Sequence, residues 1–151
     1  MSYIKVKILD NYDNKLPLPK YETKLAAGAD LRASLGIGEK LSIKPGQRVL
    51  IPTGLSFEIA PGFEVQVRPR SGLSLKTSLL VVNSPGTIDA DYRGEIRIIM
   101  INLSTDDVII NDGERICQMI ISKYDSVQWE EVDMLEESDR GAGGFGHTGK
   151  K

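Results

Sequence analysis

The chain has 151 residues, is 40% hydrophobic and carries a formal net charge of −2, which suits one soluble globular domain and gives no general drive toward nucleic acid. Its longest apolar runs, Leu79–Val82 and Ile98–Ile101, are too short to cross a bilayer, and the start Met1-Ser-Tyr-Ile-Lys-Val-Lys has no signal-peptide core. One cysteine, Cys117, and one histidine, His147, exclude an intramolecular disulfide, a His/Cys zinc cluster and an attractive Ser-His-Asp triad; the expectation is an intracellular, cytoplasmic protein without nucleic-acid or membrane partners.

In chain order, Tyr3–Leu9 alternates with Ile4, Val6 and Ile8 on one face, the pattern of a half-buried strand. Asn11–Tyr21, with Pro17 and Pro19, reads as loop. Ala26–Ala33 is short and rich in small residues, and Gly36 and Gly38 follow it. Lys44–Gln47 marks a turn, Arg48–Ile51 is a strand candidate, Pro52–Gly54 breaks it, and Leu55–Ile59 resumes the alternation. Pro61-Gly62 turns into Phe63–Arg68, with Phe63, Val65 and Val67 on one side. Gly72–Leu79 is the best candidate for a helical turn, with Ser71 as its cap. Leu79–Val82 and Glu95–Asn102 read as the two arms of a β-hairpin. Asp106–Ile110, Arg115–Ser122 and Val127–Val132 complete the strand candidates, and Cys117 sits in an apolar run where it acts as a small hydrophobe. Short strands with Gly/Pro punctuation predict an all-β barrel or sandwich, one domain over residues 1–135. From Glu136 the Gly-rich chain, residues 136–151, lacks the apolar surface to order itself and is expected to be a mobile arm.

The hairpin end concentrates chemistry. Asp89, Asp91, Tyr92 and Arg93 place carboxylates, an aromatic ring and a cation within five residues, on a loop carried by two strands. The bland alternative is a polar turn whose Asp side chains cap backbone amides. The arm holds two tempting patterns. Gly141–Gly146 fits GxGxxG and Gly144–Lys150 fits GxxxxGK, but each needs a strand before it and a helix after it, and here Lys150 is followed by Lys151, not by Ser or Thr. The named motifs are rejected, yet Arg140, Thr148 and successive glycine amides still suit phosphate, and Phe145 has a use if it stacks on a flat partner such as a nucleobase. The alternative for the arm is a flexible tail with a stray aromatic.

Five segments in order then carry a resemblance: Ala27–Arg32, Pro69–Leu73, Gly86–Glu95, Gly113–Gln118 and Arg140–Gly149. Together they resemble the motifs of the trimeric deoxyuridine triphosphatase (dUTPase) family, over nearly the whole chain. The resemblance implies a distorted β-barrel or jelly roll with one short helix. It also implies a homotrimer with shared active sites and Mg²⁺-dependent splitting of dUTP into dUMP and pyrophosphate. By motif, Asp89 is similar to the general base that activates water. Asn83, Gly86, Thr87 and Ile88 resemble the uracil-reading edge, Tyr92 the platform under deoxyribose, and Arg97 a brace of that pocket. Arg70, Ser71, Gly72 and Gln118 resemble phosphate contacts. Arg140, Gly146, His147 and Thr148 would grip the terminal phosphates, and Phe145 would cover the uracil. Asp30 is similar to a carboxylate near the metal, acting through water, while the triphosphate oxygens hold the Mg²⁺ itself. The family usually carries Ser where this chain has His147, which predicts tighter binding below an imidazole pKa of roughly 6.5.

Two other readings share parts of this pattern. A deoxycytidine triphosphate deaminase has the same fold and some motifs, but Tyr92 and the full terminal motif favour the hydrolase. A nucleotide-binding regulatory module has no need of a water-activating carboxylate such as Asp89.

Overall fold

The short apolar runs fold as antiparallel strands around a single core in the computed structural model, which describes residues 4–144. In order these are β1 (Lys5–Ile8), β2 (Ala29–Arg32), β3 (Lys40–Ile43), β4 (Arg48–Pro52), β5 (Leu55–Glu58), β6 (Phe63–Pro69), α1 (Ser71–Thr77), β7 (Leu79–Val81), β8 (Gly86–Ile88), β9 (Arg97–Asn102), β10 (Val108–Asn111) and β11 (Arg115–Lys123). Four antiparallel sheets result: β1-β5, β3-β10, β4-β9-β7 and β2-β11-β6-β8. Among the described residues they surround one core without closing into a continuous hydrogen-bonded barrel, and the fold there is all-β with a single short helix.

Period-two burial drives the assembly. On β6, Val65 and Val67 face inward; on β9, Ile98, Met100 and Asn102 do, while Arg97 and Ile99 face out. Phe57, Leu31, Ile43, Ile51 and Ile116 fill the centre. Asn102 is fully buried but satisfied. Its amide nitrogen donates to the carbonyls of Ile43 and Asp106, both at 2.8 Å, and its Oδ1 accepts from the Ser104 amide and hydroxyl. Cys117 is buried and unpaired, and burial pushes its thiol well above the usual range, so it behaves as the expected small hydrophobe.

The long hairpin forms as expected: β7 pairs β9, with Leu79 opposite Asn102 and Val81 opposite Met100. Its end is more than a turn, however. Pro85 lacks an N–H for the ladder, and beyond it Gly86–Ile88 crosses to the other large sheet as β8, pairing β6. Other expectations need correcting. Ser71 does not cap α1; Arg70, in extended conformation, holds the cap position without a side-chain bond, and Ser71 is the first helical residue. Leu55–Ile59 does not alternate at first, since Leu55, Ser56 and Phe57 are all buried; Ser56 is admitted because its hydroxyl donates to the Arg93 carbonyl at 2.7 Å. Ile8 stays 47% exposed, at the end of a strand paired only with β5. β2 and β3 arise where composition gave no strand signal. Val127–Val132 has strand-like composition but finds no ladder among the described residues, and Trp129 stands 93% exposed. Residues 136–142 of the expected arm are exposed, with a turn at residues 139–142. No helix among the described residues is long and apolar enough to cross a membrane.

Candidate active site

β8 and β9 converge on one open cleft of about 520 Å³. Thr87, Ile88, Asp89, Tyr92 and Arg97 line it, with Glu95 and an apolar floor of Leu50, Ile96 and Ile99. Asp89 follows the last residue of β8, and its carbonyl accepts from the Tyr92 amide at 3.2 Å, a tight turn that swings the ring back over the loop. The Tyr92 hydroxyl donates to the Glu95 carbonyl at 3.0 Å. A Cβ at position 94 would meet that hydroxyl, so a side chain there would have to push the Tyr92 ring aside. Asn83 lies against Gly86, its Nδ2 2.9 Å from where a Cβ would be. Asp89 also borders a second, larger cleft of about 890 Å³ with Glu58, Pro61, Arg93 and Tyr124.

Glu95 holds this loop to the rest of the fold. Oε1 accepts from Asn11 Nδ2 at 2.8 Å and from the Gly54 amide at 2.9 Å; Oε2 accepts from Arg97 Nε at 2.8 Å. Burial pushes its carboxyl up, but the hydrogen bonds from Asn11, Gly54 and Arg97, with the Arg97 charge, outweigh burial and hold it below the usual glutamate range. Gly54 has φ +67° and a Cβ there would lie 2.8 Å from Tyr12 Cβ, so a side chain is excluded where the backbone turns to meet Glu95.

A second group forms where β6, β2 and β11 meet. Asp30 lies between two guanidiniums. Arg70 Nε donates to its Oδ1 at 3.0 Å and Arg115 Nη1 to its Oδ2 at 2.9 Å, while Arg70 Nη1 donates to the Arg115 carbonyl at 3.0 Å. Gln118 Nε2 donates to the Pro69 carbonyl at 3.0 Å, and a Cβ on Gly28 would strike its Oε1. Ser71 and Gly72 are exposed at the start of α1, beside Arg70. The cluster is thus a braced set of donors suited to phosphate. Asp30 spends both oxygens on arginines here. Among the described residues no cluster of three or more His, Cys, Asp or Glu side chains is arranged to hold a metal ion. Arg140 Nε donates to the Gly143 carbonyl at 2.6 Å in an exposed turn. Phe145, Gly146, His147 and Thr148 lie outside the described residues.

Asp89 and Arg70 sit toward opposite ends of β6. Ile88 pairs with Val65, so Asp89 lies level with Glu64, six residues before Arg70. At the rise of an extended chain this is about 20 Å. One chain therefore separates its acidic, aromatic cleft from its cationic cluster. Glu95, Arg115 and Asn11 were not recognised as site residues in the sequence. Glu95 and Asn11 meet across 84 positions, and Arg115 reaches Asp30 only through β11–β2 pairing, so no local spacing signals either contact.

Taken together, the all-β fold carries an acid-bearing cleft with an aromatic wall and a braced arginine cluster. The family model for dUTPase matches residues 14–149. A deoxyuridine 5′-triphosphate nucleotidohydrolase of Finegoldia magna is 51% identical over 146 residues, covering 97% of this chain and 99% of the relative. That of Rickettsia bellii strain OSU 85-389 is 52% identical over 149 residues, covering 99% and 97%. Among solved structures, the dUTPase of Staphylococcus bacteriophage 80alpha in its G164S form with dUpNHpp superposes with a TM-score of 0.84 at 25% identity, covering 99% of both chains. The dUTPase of Streptococcus mutans gives 0.74 at 31% identity, covering 82% of this chain and 98% of that one. The chain belongs to the dUTPase family.

Proposed function

We infer that this protein hydrolyses dUTP to dUMP and pyrophosphate, keeping uracil out of DNA and supplying dUMP for thymidylate synthesis. The observation that carries the reading is full-length likeness, 51–52% identical, to proteins that bear this activity as their name. The deaminase reading is set aside on the same ground.

In this reading Asp89 accepts a proton from a water that attacks the α-phosphorus; the bond to the α–β bridging oxygen breaks and pyrophosphate leaves. Tyr92, with its hydroxyl tied to the Glu95 carbonyl, presents a fixed ring to the deoxyribose. Asn83, Gly86, Thr87 and Ile88 supply the polar edge for uracil, and an unpaired group there penalises a wrong base. Arg70, held in place by Asp30, together with Ser71, Gly72 and Gln118, receives the phosphates. Arg140, Gly146, His147 and Thr148 take the terminal phosphates, and Phe145 covers the base. Mg²⁺ would be held mainly by the phosphates of the substrate and would supply charge neutralisation there. Asp30 serves the metal at most through water while it orients Arg70.

A homotrimer with shared sites accords with the separation of about 20 Å along β6 between Asp89 and Arg70, since different subunits can then bring these residues to one nucleotide. Residues 136–151 then act as the arm that closes a site. An intracellular, cytoplasmic setting accords with the buried, unpaired Cys117.

The test is a nucleotide panel assayed for pyrophosphate and ammonia, run with and without residues 140–151. Pyrophosphate from dUTP, lost with the arm, supports the reading. Ammonia from dCTP, or tight dUTP binding without turnover, overturns it. For the shared site, inactive Asp89→Asn and Arg70→Ala subunits are refolded together. Mixed trimers should regain activity, with roughly a quarter of sites intact; no recovery counts against sharing.

A further inference from the structure

Among the described residues that line the cleft of about 520 Å³, the cation is Arg97, whose role rests on how it is held. Its guanidinium is bonded through Nε to Glu95 Oε2, and its two η nitrogens have no hydrogen-bond partner among the described residues. The Glu95 side chain is 10% exposed while that of Arg97 is 54% exposed, so the carboxylate is the fixed end of the pair and the guanidinium the presented end. The fixed end is anchored from outside the loop. Gly54 donates to it from the turn between β4 and β5, and Asn11 donates from the segment after β1. A flexible arginine is thereby turned into an oriented pair of N–H donors at the cleft, with less rotamer entropy to lose on binding.

We propose that Glu95 is a positioning residue for dUTP binding, acting through Arg97, which it aims into the nucleotide cleft. The proposal rests on the dUTPase reading above and adds a specific division of labour to it. Arg97 contacts the nucleotide; Glu95 never does. The contact exists before and during bond cleavage, so it acts on binding and not on the chemical step.

Glu95→Gln isolates this role. Two donors, Asn11 and Gly54, meet on Oε1, so the amide oxygen of Gln stays there and the loop remains anchored. The amide nitrogen then faces Arg97 Nε, donor against donor, and the guanidinium is released. Steady-state kinetics on dUTP are measured for wild type, Glu95→Gln, Arg97→Ala and the double variant, with melting midpoints for each. Glu95→Gln should raise KM about tenfold with kcat within about twofold, and the double variant should match Arg97→Ala alone. If the penalties of the two single variants multiply in the double variant, Glu95 does not act through Arg97 and the proposal is wrong. An unchanged KM in Glu95→Gln also overturns it. Should Glu95→Gln fail to fold, Asn11→Ala decides in its place: its rise in KM must vanish in the Arg97→Ala background. A wild-type protein without pyrophosphate release from dUTP would instead sink the functional reading, and the two failures are thus distinct.

Discussion

Replacing Asp30 with Asn removes the charge on which two arginines converge while keeping the side chain's shape. The side chains of Asp30, Arg70 and Arg115 are 15%, 26% and 38% exposed, so the cluster is neither open surface nor deep interior. Breaking a fully buried pair costs about 3–5 kcal/mol, and an exposed pair is worth about 0–1 kcal/mol. Asn retains one acceptor oxygen for one of the two guanidiniums. The other then faces the amide nitrogen, donor against donor, although Arg115 keeps Glu22 at 3.8 Å. These considerations place the loss at about 2–3 kcal/mol, intermediate between the two limits. For a chain of this length that lowers the melting midpoint by roughly 5–10 °C. Arg70 also loses its orientation, so KM for dUTP should rise roughly three- to tenfold. Thermal unfolding by circular dichroism and steady-state kinetics on the same preparation measure both. A variant that melts within about 1 °C of wild type with an unchanged KM would refute the claim that Asp30 braces the phosphate cluster.

His147→Ser should abolish any tightening of KM as pH falls through roughly 6.5, leaving a flat profile where wild type slopes; a flat wild-type profile removes the imidazole from arm closure. The hydrogen bonds from Asn11, Gly54 and Arg97 hold the Glu95 carboxyl below the usual glutamate range, so its ionic contribution is full above that range and is lost as pH falls through the folded pKa. The stability gap between wild type and Glu95→Gln should accordingly hold steady near neutrality and narrow in acid, as read from urea midpoints; a gap that widens in acid contradicts the bond network. Gly54→Ala combines a left-handed backbone with a Cβ 2.8 Å from Tyr12 Cβ and 2.9 Å from its Cα, contacts that no flexible side-chain end can relieve. It should cost roughly 2–4 kcal/mol in chemical denaturation, and a loss under about 1 kcal/mol would mean the turn is looser than described.

Much of the fold was legible because alternation is a local signal. Val65 and Val67, or Ile98 and Met100, announce their burial two residues at a time. β2 escaped because Ala29-Asp-Leu-Arg32 alternates correctly with residues too small or too charged to stand out; Asp30 is half-buried because it holds the arginine cluster, and Arg32 donates to the Gly113 carbonyl. β8 escaped because its partner is β6, seventeen or more residues earlier, and not the next strand. Val127–Val132 misled in the other direction, since β-forming composition does not supply a neighbour to pair with. In the site, the resemblance pointed to Thr87, Ile88, Asp89, Tyr92 and Arg97, and these do line one cleft. Nothing in the sequence revealed that Glu95 ties that cleft to Asn11 and Gly54, because such ties depend on how distant turns come together.

The single tryptophan of this chain stands in water at position 129, 93% exposed, in the segment that follows β11. An indole so placed emits at the red end of its range and is easily quenched by a dissolved iodide or acrylamide. Any surface that takes up residues 127–135 must move that light toward the blue and shield it. The molecule thus comes with its own optical gauge for what its trailing segment touches, without a label or a substitution.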